Sequence, residues 1–181
     1  QLGAGQRRNQ DELVNKLGED IADKMWLLAN DAVNTVKEII TANKIDCQIK
    51  PGVATLGFNS KEVKELHNYA EYLEKRYNYN GLELLDRDDS NNLCHSKKYS
   101  GGMLDMNAAH LHPLKFVFGL AEAAVLAGAN IFEQSEVLKL VPGKVNRTIT
   151  KTGEIGSNFV ILGCNGYLGN LEPKVSAKVM P

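Results

Sequence analysis

Four short stretches of this 181-residue chain carry residue types whose spacing could do chemistry. The first is Gly163-Cys164-Asn165-Gly166, which follows the apolar run Val160-Ile161-Leu162. Small residues where a strand ends let the main chain approach a ligand closely, and free N–H groups there can face a pyrophosphate. The second is the pair His110 and His112. Alternate residues of an extended segment project to one side, so two imidazoles could share a metal. Cys94 and His95 are the only other local candidates and no suitable third ligand lies near, so helix capping and core packing are the plainer roles. The third is Arg7-Arg8, whose forked donors could hold a phosphate or a carboxylate, although a solvated surface pair is the default. The fourth is Gly101-Gly102 within Tyr99–Asp105, where missing side chains leave room for another backbone or a ligand.

Several complete signatures are absent from the sequence: no G-x-x-x-x-G-K-[ST] loop, no G-x-S-x-G elbow and no G-x-G-x-x-G turn occurs. The three cysteines, Cys47, Cys94 and Cys164, are odd in number and far apart, which reads as reduced intracellular thiols rather than a zinc site or a disulfide framework. With 21 basic and 22 acidic residues the net charge is −1, so no overall field draws the chain to nucleic acid or to an anionic membrane surface. No apolar run approaches the roughly 18 to 20 residues that span a bilayer, and the start does not resemble a secretory leader. A cytoplasmic protein is the expectation, and Asn146-Arg147-Thr148 is then a chance match to the glycosylation pattern.

The elements that must position these residues follow from periodicity. An apolar fraction of 43% in one domain's length allows a sizeable core. Leu13, Leu17 and Ile21 step by four around Gly18, which predicts a short helix and then a longer one. In the longer one, Met25, Leu28, Ala29, Ala32, Val33, Val36, Ile39 and Ile40 fall on a single apolar stripe, which predicts core. Val53–Phe58 suits a strand, and Asn59 with Glu62 three residues on predicts a capped helix reaching about Tyr77. Asp86 can cap a short turn through Leu93. Pro113 suits a first helical position, and Gly128 ends that helix. Asn130–Glu133 and Val137–Val141 read as strands, so the stretch predicts a crossover unit of a partly parallel sheet. Arg147–Thr152, a turn at Gly153 and a buried strand over 158–162 complete the reading.

Taken together, Gln1-Leu2-Gly3-Ala4-Gly5-Gln6-Arg7-Arg8, Ile45-Asp46-Cys47, Tyr99-Ser100-Gly101-Gly102, His110-Leu111-His112-Pro113-Leu114 and Asn165-Gly166-Tyr167-Leu168 resemble the gamma-glutamylputrescine oxidase-like flavoproteins of the D-amino-acid-oxidase-like family. The likeness runs through essentially the whole sequence. It implies an α/β fold with an α+β substrate part, a partial FAD/NAD(P)-binding-like fold with a mixed sheet and flanking helices. It implies FAD as cofactor, a small-molecule amine or amino acid as substrate, and hydride transfer from the amine-bearing carbon to the flavin. By this likeness Gln1 follows a missing glycine pair, so the chain would be an internal fragment, inactive alone. Residues 1–47 would be a helical segment, 48–105 part of the substrate region and 106–181 part of the FAD region. The main chain of Val137 would meet the adenine, Cys164, Asn165 and Gly166 would lie beside the pyrophosphate, and Gln1 would lie near the isoalloxazine edge. No residue is assigned a catalytic role and no metal is implied. The alternative is a non-catalytic interaction module that presents the Met25–Ile40 helical face.

Overall fold

Gly18 decides how the N-terminal helices are cut. Its φ of 83° is open to glycine at little cost, and it separates α1 (Gln10–Leu17) from α2 (Glu19–Ala42), as the spacing predicts. The computed structural model describes residues 1–179. The chain divides into two units, Gln1–Ala129 and Asn130–Pro181.

In the first unit, strand β1 (Lys50–Gly57) leads to α3 (Ser60–Tyr77), β2 (Leu82–Leu85), α4 (Arg87–Cys94), β3 (Gly101–His110) and α5 (Pro113–Leu126). The expected caps are in place. The Asn59 side chain accepts from the Glu62 N–H at 3.0 Å, while the Glu62 carboxylate reaches back to the Phe58 N–H at 2.8 Å. Asp86 and Asp89 cap α4 reciprocally, Pro113 occupies the first turn of α5, and the His112 ring accepts from the Lys115 N–H. The three strands form an antiparallel sheet in the order β1-β3-β2. Gly101 and Gly102 let it close: a Cβ on Gly101 would meet the Leu85 carbonyl at 2.6 Å, and one on Gly102 would strike the Thr55 carbonyl. The partner that their bareness admits is therefore another backbone.

The apolar stripe of α2 is rotated from its expected position. Ala22, Trp26, Ala29, Val33 and Ile40 are buried, whereas Leu28 is 66% exposed and Ala32 also faces out. Trp26 turns the helix, because its ring packs 5.1 Å from the rings of both Tyr77 and Tyr79. The Met25–Ile40 face named in the alternative reading is thus split between interior and surface. The far end of α2 packs with Ile45 and Cys47, against which Leu111, Phe116 and Leu120 lie.

In the second unit β4 (Val137–Val141), β5 (Asn146–Thr150) and β6 (Glu154–Ser157) form an antiparallel meander, followed by a 3-10 turn over Asn165–Tyr167 and a short α6 (Pro173–Ser176). The mixed α/β class with flanking helices stands, but every strand pairing among the described residues is antiparallel. The crossover unit does not form there: Asn130–Glu133 is not a strand. The hairpin at Gly153 does form, yet its returning strand is Glu154–Ser157, and the run 158–162 beyond it is irregular, with Phe159 86% and Ile161 92% exposed. A strand exists only where a neighbour supplies a ladder. No described segment pairs with 158–162. Strand β2, in contrast, has only four residues, too short a pattern to stand out in the sequence.

Candidate functional site

The N-terminal loop is anchored at two points. At one, Leu2 and Ala109 exchange both backbone hydrogen bonds, each 2.7 Å, in an isolated antiparallel bridge. Gly3 lies over Ala108, whose methyl is 3.6 Å from where a Gly3 Cβ would stand. At the other, Gln10 is 1% exposed and tied on three sides. Its N–H donates to the Tyr69 hydroxyl at 3.0 Å, and its side-chain amide donates to the Ala22 carbonyl at 2.5 Å and the Tyr77 hydroxyl at 3.2 Å.

The Tyr77 hydroxyl is the centre of a charged cluster joining α1, α2 and α3. It accepts from Gln10 and from Arg76 Nε at 3.0 Å and donates to Asp23 at 2.7 Å, while Arg76 also holds Asp23 at 3.0 and 3.2 Å. The hydrogen bond from Tyr77, helped by the Arg76 guanidinium, holds the Asp23 carboxyl below the usual carboxylate range. Burial pushes the Tyr72 hydroxyl up to about 12 and raises that of Tyr69. Burial and the neighbouring Asp105 carboxylate, which accepts from Tyr79 at 2.9 Å, raise the Tyr79 hydroxyl. These groups are locked in one protonation state near neutrality, so the cluster holds position rather than moving protons.

Gln1 therefore belongs to an exposed loop fixed to the end of β3. The other four sequence-predicted residues lie in the second unit. Val137 starts β4, an outer strand of the meander that is paired on one side, with Val137 opposite Thr150. A groove of about 490 Å³ runs past it, lined by Ser135, Val137, Thr148, Thr150 and Glu154 among others. Cys164, Asn165 and Gly166 form the 3-10 turn and its start: Asn165 has a φ of 50°, and no atom lies within 4 Å of where a Gly163 Cβ would stand. Among the described residues no hydrogen bond joins this turn to Val137. An unpaired strand edge and a hydroxyl-lined groove without basic side chains suit a neutral heterocycle and sugar held by main chain, and the open glycine turn admits close backbone contact. The donor set fits the adenosine end of a dinucleotide.

Neither anchor of the Gln1 loop is visible in the sequence. No local signal marks them, because their partners are distant in the chain; only the burial of a lone polar residue, Gln10, betrays one. Of the two histidines, His112 caps α5, and His110 Nδ1 lies 3.1 Å from the Gly52 carbonyl.

Comparison with known proteins gives these units a context. The chain is 35% identical over 182 residues to a probable oxidoreductase OrdL of Rhizobium meliloti, covering 100% of the chain and 42% of that protein. It is 30% identical, with the same coverages, to the gamma-glutamylputrescine oxidoreductase of Escherichia coli. The chain thus spans about two-fifths of the length of these relatives. Among solved structures, L-proline dehydrogenase from P. horikoshii superposes with a TM-score of 0.67 at 15% identity, over 98% of this chain and 46% of that one. Glycine oxidase from Geobacillus kaustophilus does so with a TM-score of 0.66 at 18% identity, over 82% of this chain and 41% of that one. These likenesses establish a shared fold. Residues 2–181 match the pattern of the FAD dependent oxidoreductase (DAO) family, and the chain belongs to that family.

Proposed function

We propose that this chain is part of an FAD-dependent oxidoreductase that oxidises an amine or an amino acid by hydride transfer. The observation that carries the reading is the family match along residues 2–181. The names of its relatives agree on the chemistry: gamma-glutamylputrescine, glycine and L-proline each carry a nitrogen on the carbon to be oxidised. When bound, FAD would supply the redox chemistry of the reaction.

The contribution of this chain is to bind and orient. The free edge of β4 at Val137 would hold the adenine, and Cys164, Asn165 and Gly166 would offer main-chain groups to the pyrophosphate. Gln1 would lie near the isoalloxazine edge, and within this chain its loop is fixed by the Leu2–Ala109 bridge and by Gln10. Residues 1–47 serve as a helical support, 48–105 as part of the substrate region and 106–181 as part of the FAD region. Oxidation of the neutral amine needs alignment and a dry pocket more than a strong acid or base, so no catalytic residue is assigned within this stretch. The free cysteines support a cytoplasmic location, and the balanced charge supports a small-molecule partner rather than nucleic acid. No described helix is long and apolar enough to cross a membrane.

The test is purification of the full-length protein. It should show bound flavin absorbance, and Val137→Pro, which stiffens the β4 edge and removes its N–H, should weaken FAD binding at least tenfold. Absence of flavin absorbance even after added FAD would overturn the reading. The 181-residue piece by itself should bind FAD weakly or not at all.

A further inference from the structure

Asparagine is a chemically labile residue, and most so when glycine follows it. The glycine nitrogen can attack the asparagine side-chain carbonyl carbon, since no Cβ on the following residue obstructs the approach. The new C–N bond closes a succinimide ring and ammonia leaves. Water then opens the ring, at one carbonyl to give aspartate or at the other to give isoaspartate. A neutral amide becomes a carboxylate, and solvent water is the only co-reactant. The step needs a side chain free to fold back on the main chain and a glycine N–H free of any hydrogen bond.

The sequence holds two such pairs, Asn80-Gly81 and Asn165-Gly166, and the fold treats them differently. The first is fastened where the chain enters β2. The Asn80 side chain donates to the Asn78 carbonyl at 3.2 Å, the Asn80 carbonyl accepts from the Asn107 side chain, and the Gly81 carbonyl accepts from the Met106 N–H at 2.9 Å. The second is free. Asn165 is exposed, and among the described residues neither its side chain nor the Gly166 N–H takes part in a hydrogen bond. The turn is closed by the Tyr167 N–H donating to the Cys164 carbonyl at 3.0 Å, a bond that spans the pair without engaging it.

We propose that Asn165-Gly166 is a self-modification site, converting to aspartate or isoaspartate while Asn80-Gly81 stays intact, and that the charge gained weakens the hold on FAD. The first half stands on the hydrogen bonds of the two pairs. The second rests on the pyrophosphate-side position of Asn165 given above, where a new carboxylate would face an anionic diphosphate. Conversion then acts as a clock that retires protein left without its cofactor.

The test uses the full-length protein, freed of FAD and aged at mildly alkaline pH. Peptides containing Asn80 and Asn165 are followed by mass spectrometry for the amide-to-acid change and for isoaspartate. Acid should accumulate severalfold faster at Asn165 than at Asn80; equal rates, or no conversion at Asn165, overturn the proposal. The aged protein is then separated by charge. The fraction converted at Asn165, and an Asn165→Asp variant that needs no ageing, should each bind FAD about tenfold more weakly than the unaged wild type. Loading with FAD beforehand should slow the conversion. If the converted fraction binds FAD as the unaged protein does and FAD does not slow its formation, the link to the cofactor and the position of Asn165 are both overturned. Flavin absorbance of the unaged protein decides the oxidoreductase reading separately.

Discussion

Tyr77 shows what a single hydroxyl contributes here. It accepts from Gln10 and Arg76 and donates to Asp23, so one group satisfies partners from three helices. Tyr77→Phe should destabilise the protein by about 1–3 kcal/mol, read as a lower urea midpoint, because Gln10 and Asp23 lose a partner but keep another. The depressed Asp23 carboxyl carries a pH signature. Its stabilising contribution is complete above the ordinary unfolded value of 3.8 and is lost as pH falls through the lower folded value. Urea midpoints between pH 5 and pH 2, roughly spanning that range, should therefore fall more steeply for the wild type than for Asp23→Asn. At this scale the sequence was legible where chemistry is local. The Asn59–Glu62 and Asp86–Asp89 caps join residues three apart, and His112-Pro113 opens a helix in adjacent positions. The Tyr77 cluster was not legible, since Asp23 and Gln10 meet it across more than fifty residues of chain.

The helices were read well because a helix satisfies its own backbone, and its signals lie within the segment. Strands depend on neighbours that composition does not reveal: the run 158–162 has a strand's composition without a ladder. The face of a helix is also set from outside, as when Trp26 and its tyrosines turned α2. One contact tests packing between elements. Gly119 on α5 lies so close to Ile45 that a Cβ would overlap three atoms of its side chain. Gly119→Ala gains about 1 kcal/mol of helix propensity but overpacks a buried contact at about 1–3 kcal/mol, so a net loss is expected. In an Ile45→Ala background the same substitution should become neutral or stabilising, and a double-mutant cycle by urea unfolding would read that coupling.

Across the molecule, apolar surface is unevenly covered. Helix α5 has no fully buried residue, and Leu114, Val117, Phe118, Val125 and Leu126 are all exposed, as are Phe159 and Ile161 in the second unit. Single exposed apolar residues are ordinary, but a helix bare along most of its length is not. With the chain spanning about two-fifths of its relatives, the 181-residue piece should bind a hydrophobic dye such as ANS severalfold more strongly than an equimolar amount of the full-length protein. Equal binding by the two would argue that these faces stay bare in the full-length protein. The family itself was legible because many weak local matches kept their order along the chain, whereas the bridge at Leu2 was not, being a meeting of residues at opposite ends of the first unit. That bridge has a protective consequence. A strand border left without a neighbour is a template for another polypeptide, and the last turn of β3 is shielded by only a few residues of strap. Proteolytic nicking at the strap would convert a quiet border into a sticky one, and self-association would begin there.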